Sequence, residues 1–333
     1  MKFISRRDFL KYSLVTFATF CTQYRLPVLS AVKTFRPFKF AFVPCLHLSN
    51  YRFDDWILYN ESLLILQDAV KLLNSLNPHF VVFGGDLIEN RQKDLSDMPV
   101  MLDVITGLQS PYYVILGDRE ADLTPEIQKE HITAEFRRNG FSLPGLSWWA
   151  HTPVEGVDLV GLDSSVRNQM SGAVSADQLR WLENGLACQN NNLRIVCLHH
   201  PIIPEPALKG FYTADGFDLK NADSLTTIFD RYQNVNMVLS GHRHVNKIFT
   251  KGSTHYINCP SIVTYPCEFK FFEVTQDYID VKSYQISYKQ IVKKAEEQLI
   301  KSEYAKQFPN IKNKELLALH KGKKTDRDQK LQF

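Results

Sequence analysis

Short, uninterrupted apolar runs recur along the chain, separated by stretches in which apolar residues return at helical spacing. Phe38 to Pro44, Phe80 to Phe83, Tyr112 to Leu116, Leu193 to Leu198 and Val235 to Leu239 are runs of β-formers with little polar alternation. That is the pattern of strands buried on both faces. Between the first two runs, Leu63, Leu64, Leu66, Ala69, Val70 and Leu73 give Tyr59 to Leu73 a helical period, which Asn77-Pro78 stops. Pro99 to Leu108, a segment opening at Ser175 and carrying Leu179, Trp181, Leu182 and Leu186, and Asp223 to Tyr232 read as further helices. Ser175 suits an N-cap, with Asp177 in the first turn. The middle of the chain is richer in β pattern. Trp148-Trp149 and Val157 to Leu162 read as paired strands around a turn at Glu155-Gly156. His255 to Ile257, Phe269 to Val274 and Ile279 to Gln285 extend that portion. The alternation predicts an α/β fold with a sheet covered by helices.

Composition changes this picture at the two ends only. Of the 333 residues 44% are hydrophobic and 23% charged, with a net charge of +3, and six cysteines are too few for a disulfide scaffold. Nothing in that balance argues for nucleic acid. At the N-terminus, Ser5-Arg6-Arg7-Asp8-Phe9-Leu10-Lys11 precedes an apolar stretch, Tyr12 to Phe20. It is shorter than the ~20 residues a membrane-spanning helix needs and fits an export signal over residues 1–31. The heptapeptide resembles a twin-arginine signal, which implies passage through that translocation machinery after folding and a periplasmic location. From Lys289 onward, Lys and Arg exceed the acids by six. The segment 288–333 is expected to be a basic, mostly helical tail packed loosely on a body spanning 37–287. Contact of that tail with anionic lipid is the alternative.

Candidate chemistry sits where the apolar runs stop. His47, Asp86, Asp118, His199 and the pair His242 and His244 each follow a predicted strand, most of them beside a Gly or Pro. In α/β sheets, sites assemble outside the carboxyl ends of strands. Histidine is the commonest neutral metal ligand and aspartate supplies charge, so the recurrence points to a metal site. Each residue alone has a plain structural reading: a cap, a turn or a hydrogen-bonded core histidine.

Cys45-Leu46-His47, Gly85-Asp86, Gly117-Asp118-Arg119-Glu120, His199-His200-Pro201 and Gly241-His242-Arg243-His244 stand in the order of the calcineurin-like metallophosphoesterase motifs, which they resemble. Leu162-Asp163-Ser164-Ser165, Gly172 and Gln178-Leu179-Arg180-Trp181-Leu182 resemble the branch that includes cyclic-nucleotide phosphodiesterases. The resemblance implies a four-layer α/β/β/α sandwich. It also implies two metal ions (Fe, Mn or Zn) at the sandwich edge, holding a water that attacks a small phosphate-ester substrate. Carried over, Cys45, His47, Asp86 and His244 hold the first ion. Asp86 bridges to a second, held by Asp118, His199 and His242. Glu89 stands where purple acid phosphatases need a Tyr ligand, which sets that branch aside.

Three positions depart from the pattern. Cys45 replaces an Asp ligand, Asp118 an Asn, and Arg119 the His assigned to leaving-group protonation. Arginine does not give up its proton near neutrality. Arg119, Asp118 and His200 are the candidate catalytic residues, and Tyr212 and Asp215 are candidates in a lid over Phe211 to Asp218. Two readings remain open at this point. One is an exported hydrolase of phosphate esters, phosphodiesters being the expected substrates, with a modified dinuclear site; the other is a metal- or phosphate-binding relative without catalysis. Whether Cys259 and Cys267 pair is likewise open.

Overall fold

The computed structural model describes residues 35–143, 145–188, 192–208 and 217–333. The export segment 1–31 and the greater part of the expected lid, with Tyr212 and Asp215, lie outside the described residues.

Twelve strands among the described residues form two mixed six-stranded sheets. In chain order they are β1 (Phe38–Val43), β2 (Phe80–Gly84), β3 (Tyr112–Ile115), β4 (Trp149–Val154), β5 (Val157–Gly161), β6 (Leu193–Cys197), β7 (Met237–Ser240), β8 (Lys247–Lys251), β9 (Thr254–Asn258), β10 (Glu268–Val274), β11 (Tyr278–Gln285) and β12 (Gln329–Gln332). The first sheet runs β12-β11-β10-β1-β2-β3 and the second β4-β5-β6-β7-β9-β8. β1, β2 and β3 are parallel neighbours, as are β5, β6, β7 and β9. Their carboxyl ends converge on one edge of the sandwich.

Strand parity explains the layers. In β5, β6 and β7, Leu159, Ile195, Cys197, Met237 and Leu239 enter the large core shared with the first sheet. Their alternates Val160, Val196 and Val238 enter a second cluster. That second cluster is closed by α4 (Ala176–Leu186) and α5 (Ala222–Tyr232) through Trp181, Leu182, Leu186, Leu225, Ile228 and Phe229. On the first sheet, α1 (Ser62–Leu76) and α2 (Met98–Ile105) bury Ile65, Leu66, Ala69, Leu73, Met101 and Ile105 in the large core, while α3 (Lys129–Glu135) adds Ile132. Phe40 stacks on Phe80 at 5.0 Å and on Phe272 at 4.4 Å, tying β1 to both its neighbours. Such pairs add about 0.5–1.5 kcal/mol each beyond burial. Trp149 Nε1 donates to the Val114 carbonyl at 2.9 Å and joins the two sheets at β3 and β4.

The C-terminal segment corrects an expectation. Rather than packing loosely, α6 (Lys289–Lys301) buries Ile291, Ala295 and Leu299 in the large core, and Tyr304, Phe308 and Leu316 follow. The chain continues through α7 (Glu303–Lys306), α8 (Asn313–Lys321) and α9 (Lys324–Arg327) to β12, which closes the first sheet beside β11. Lysines dominate its exposed face and hide the apolar period from a charge count. Cys259 and Cys267 are both free and buried. No helix among the described residues is long and apolar enough to cross a membrane.

Candidate metal centre

Every residue expected at the metal site lies just past a parallel strand. Cys45 and His47 follow β1, Asp86 follows β2, Asp118 follows β3, His199 follows β6, and His242 and His244 follow β7. The strand ladder persists into these loops, where Cys45 and His47 donate their backbone N–H to the Gly85 and Asp86 carbonyls at 2.9 Å. Five of these residues, Cys45, His47, Asp86, His242 and His244, have positive φ between 41° and 63°. A non-glycine residue there costs roughly 1–2 kcal/mol, so the surrounding contacts must enforce it. Gly117 shows how tightly: a Cβ on it would lie 2.3 Å from both the backbone nitrogen and Oδ1 of Asp86.

The side chains gather into two groups, Cys45 with His47 and His244, and Asp86 with Asp118, His199 and His242. In the first, His47 Nδ1 donates to Glu89 Oε2 at 3.2 Å, which leaves Nε2 as a lone pair 3.2 Å from His244 Nε2. Thr264 Oγ1 lies 3.3 Å from the other nitrogen of His244. Cys45 Sγ accepts the His242 backbone N–H at 3.1 Å. Burial first, then Asp86, pushes the Cys45 thiol well above its ordinary value.

In the second group, His199 Nδ1 sits 2.8 Å from the Gly84 carbonyl and must donate to it. Burial would lower the His199 pKa, but Asp86 and Asp118 outweigh it and raise it well above the ordinary imidazole value. Nε2 is therefore also protonated and donates to Asp118 Oδ1 at 3.1 Å, with Asp86 Oδ2 at 3.3 Å. His242 Nδ1 lies 3.1 Å from the same Asp118 oxygen. Burial would raise the Asp118 carboxyl, but hydrogen bonds from His199 and His242 hold it well below the usual carboxylate range. A cation bound between these two buried carboxylates would displace that proton and make Nε2 a ligand lone pair. The donor chemistry therefore fits a metal ion, with His47, His199 and His244 each oriented by a partner on the far nitrogen. Asp86 Oδ1 takes the Arg119 backbone N–H at 3.0 Å. Its Oδ2 lies between the groups, 3.6 Å from His47 Nε2 and 3.3 Å from His199 Nε2.

Two carboxylates that the motif reading left without a role complete the surroundings. Glu89, buried, ties His47 to Arg119, whose Nε is 3.6 Å from Glu89 Oε2 and 3.9 Å from Asp118 Oδ2. Burial would lower the Arg119 pKa, but Glu89 and Asp118 outweigh it and raise it, so the guanidinium stays charged. Glu120 accepts the backbone N–H groups of Asp86, Leu87 and Gly117 at 2.8–2.9 Å and fixes the turn that carries Asp86. Burial, then Asp86, pushes its carboxyl up to about 7. Glu120 closes the Gly117-Asp118-Arg119-Glu120 motif, which is the signal that could have found it; Glu89 is marked only by its place three residues after Asp86.

His200 is corrected from candidate catalyst to buttress. Its Nε2 donates to the Met170 carbonyl at 3.0 Å and its Nδ1 lies 2.9 Å from Ser164 Oγ, leaving neither nitrogen for substrate. Burial, with His242 and His199 nearby, keeps it neutral. Its ring packs 4.4 Å from that of His242.

Residues 38–246 match the calcineurin-like phosphoesterase family, and the chain belongs to it. It is a metal-dependent phosphoester hydrolase by family, in the α/β sandwich fold of that class. A Synechococcus relative named "Probable cyclic nucleotide phosphodiesterase" is 27% identical over 190 residues, 57% of this chain and 67% of that protein. A 3′,5′-cyclic-nucleotide phosphodiesterase of Nostoc is 35% identical over 100 residues, 30% of this chain and 36% of its own. The crystal structure of a dimetal phosphatase from Danio rerio aligns with a TM-score of 0.61 at 16% identity, covering 76% of this chain and 96% of that one.

Proposed function

We propose that the chain hydrolyses phosphodiesters at a dinuclear centre in which Cys45, His47, Asp86 and His244 hold one ion and Asp86, Asp118, His199 and His242 the other. The observation that carries this is the placement of Asp86 Oδ2 between two separate groups of ligand atoms. Two divalent ions so held would supply Lewis acidity toward the phosphoryl oxygens and an acidified water.

The remaining work falls to the chain's own residues. Glu89 fixes the His47 tautomer and sets the direction of the Arg119 guanidinium. Arg119, with 23% of its side chain exposed beside Asp118, is placed to bind a non-bridging phosphoryl oxygen. It cannot protonate a leaving group, so esters of acidic alcohols or phenols suit this site best. The phosphodiesterase names of the relatives support a diester, and a nucleotide diester is the natural first substrate to try. The twin-arginine-like heptapeptide supports export of the folded protein to the periplasm. The departures at Cys45 and Arg119 keep a second reading, a relative that binds metal without hydrolysis.

The test is hydrolysis of bis(p-nitrophenyl) phosphate by full-length protein reconstituted separately with Mn, Zn or Fe. Turnover with at least one metal, abolished by chelation, is expected. Bound metal without turnover under any of the three conditions establishes the second reading.

A further inference from the structure

The C-terminal segment reaches the metal centre through one side chain. His320, at the end of α8, is completely buried and donates from Nδ1 to the backbone carbonyl of His244 at 3.0 Å. A carbonyl can only accept, so the ring carries its proton on Nδ1 and its Nε2 accepts from the Tyr304 hydroxyl at 3.1 Å. A return bond runs from the Asn246 backbone N–H to the His320 carbonyl at 3.1 Å. The contact is flush: a Cβ on Gly322 would lie 2.5 Å from the Asn246 carbonyl oxygen. Tyr304 in turn stacks on Trp56 at 4.3 Å, and Trp56 lies 5.3 Å from the His244 ring. His244 is one of the residues held at positive φ, 52°, and its ring otherwise has Thr264 on its outer nitrogen.

We infer that His320 is a positioning residue for His244, and that docking of the C-terminal segment and occupancy of the Cys45–His47–His244 metal position stabilise each other. The inference rests on the two-position reading above. It gives the segment, which lies beyond the family match ending at residue 246, a part in the centre. Because His320 bonds backbone in two directions, loss of the clamp frees the loop to relax toward an ordinary conformation and carries the His244 ring off target. Linkage is reciprocal: an ion held by His244 also holds the segment down.

The test titrates metal-free, full-length protein with Zn(II) in the presence of a competing chelator, for wild type, His320→Ala, His320→Asn and Tyr304→Phe. One of two Zn(II) affinities should fall by roughly 10–100-fold in His320→Ala, the range for lost orienting partners. The other affinity should hold, and His320→Asn, whose amide can replace the Nδ1 donor, should recover part of the loss. Tyr304→Phe keeps the ring but frees its tautomer, and should weaken the same affinity less. Saturating Zn(II) should slow backbone hydrogen exchange over residues 313–322 in wild type. Unchanged affinities in both His320→Ala and Tyr304→Phe, or unchanged exchange over 313–322, overturn the inference. A wild-type chain that holds a single ion overturns the two-position reading instead, and the clamp is then judged on whether that ion's affinity responds to Tyr304→Phe.

Discussion

His47 and His244 aim their Nε2 atoms at each other across 3.2 Å, from loops 197 residues apart in sequence. The other nitrogen of His47 is committed to Glu89. Two imidazoles brought together this way at a buried strand edge could ligate one metal ion, and under the proposed centre the residues that aim them tune its affinity.

Glu89→Gln tests that control. The amide cannot reproduce the charged acceptor for His47 Nδ1–H, and it removes the counter-charge of Arg119. Metal affinity should drop by about 10–100-fold, measured by chelator competition, with the thermal unfolding of the metal-free protein changed little.

Cys45 carries the clearest chemical signature. Buried and neutral without metal, its thiol is lifted by burial and by Asp86, and an ion at the first position would reverse that by favouring the thiolate. Substitution with Co(II) should produce sulfur-to-metal charge-transfer absorption in the near ultraviolet, and Cys45→Ser should remove it. Cys45→Asp should shift the preferred ion from zinc toward manganese, since thiolate selects the softer metal.

Arg119→His restores a titratable group beside Asp118. With poor leaving groups the variant should be faster by as much as about 10², and its rate should fall as pH rises past the histidine pKa. With a p-nitrophenyl ester little should change. Rates measured across a series of leaving groups in both proteins decide the matter.

The strand ends were readable from the sequence because buried parallel strands leave uninterrupted apolar runs. Glycines and prolines then mark where each run gives way to a ligand loop. That pattern pointed to His47, Asp86, Asp118, His199, His242 and His244, and the family resemblance added Cys45; the fold gathers their side chains in two groups. What escaped was whatever depends on long-range packing. Glu89 looks like an ordinary loop acid, and Glu120 like no more than the end of a motif, until the fold turns them toward His47 and the Asp86 amide. His200 sits in a motif, yet Ser164 and Met170 occupy both its nitrogens. β12 is four residues long and pairs, among the described residues, with β11 alone, too short for its alternation to stand out in a lysine-rich tail.

Lys270 shows the same long-range dependence and sets a pH effect on stability. It is buried in β10, where Nζ donates to Ser283 Oγ at 2.8 Å and to the Asp326 carbonyl at 2.7 Å. Burial pushes its pKa down to about 8. Above that pH the unfolded chain binds the proton and the folded chain does not, so Lys270 disfavours folding below pH 8 and the penalty fades as pH rises toward 10.5. Relative to Lys270→Met, wild-type stability should therefore climb by about 1.4 kcal/mol per pH unit in that window. Urea unfolding of both proteins at pH 8 and pH 9.5 reads the slope directly.

The most direct test of the dinuclear centre counts metal in full-length protein purified after growth with ample Mn, Zn and Fe. Elemental analysis should find about two ions per chain, and Asp86→Asn, which removes the charge facing both ligand groups, should hold fewer than one. One ion or fewer per chain in the wild type would contradict the account.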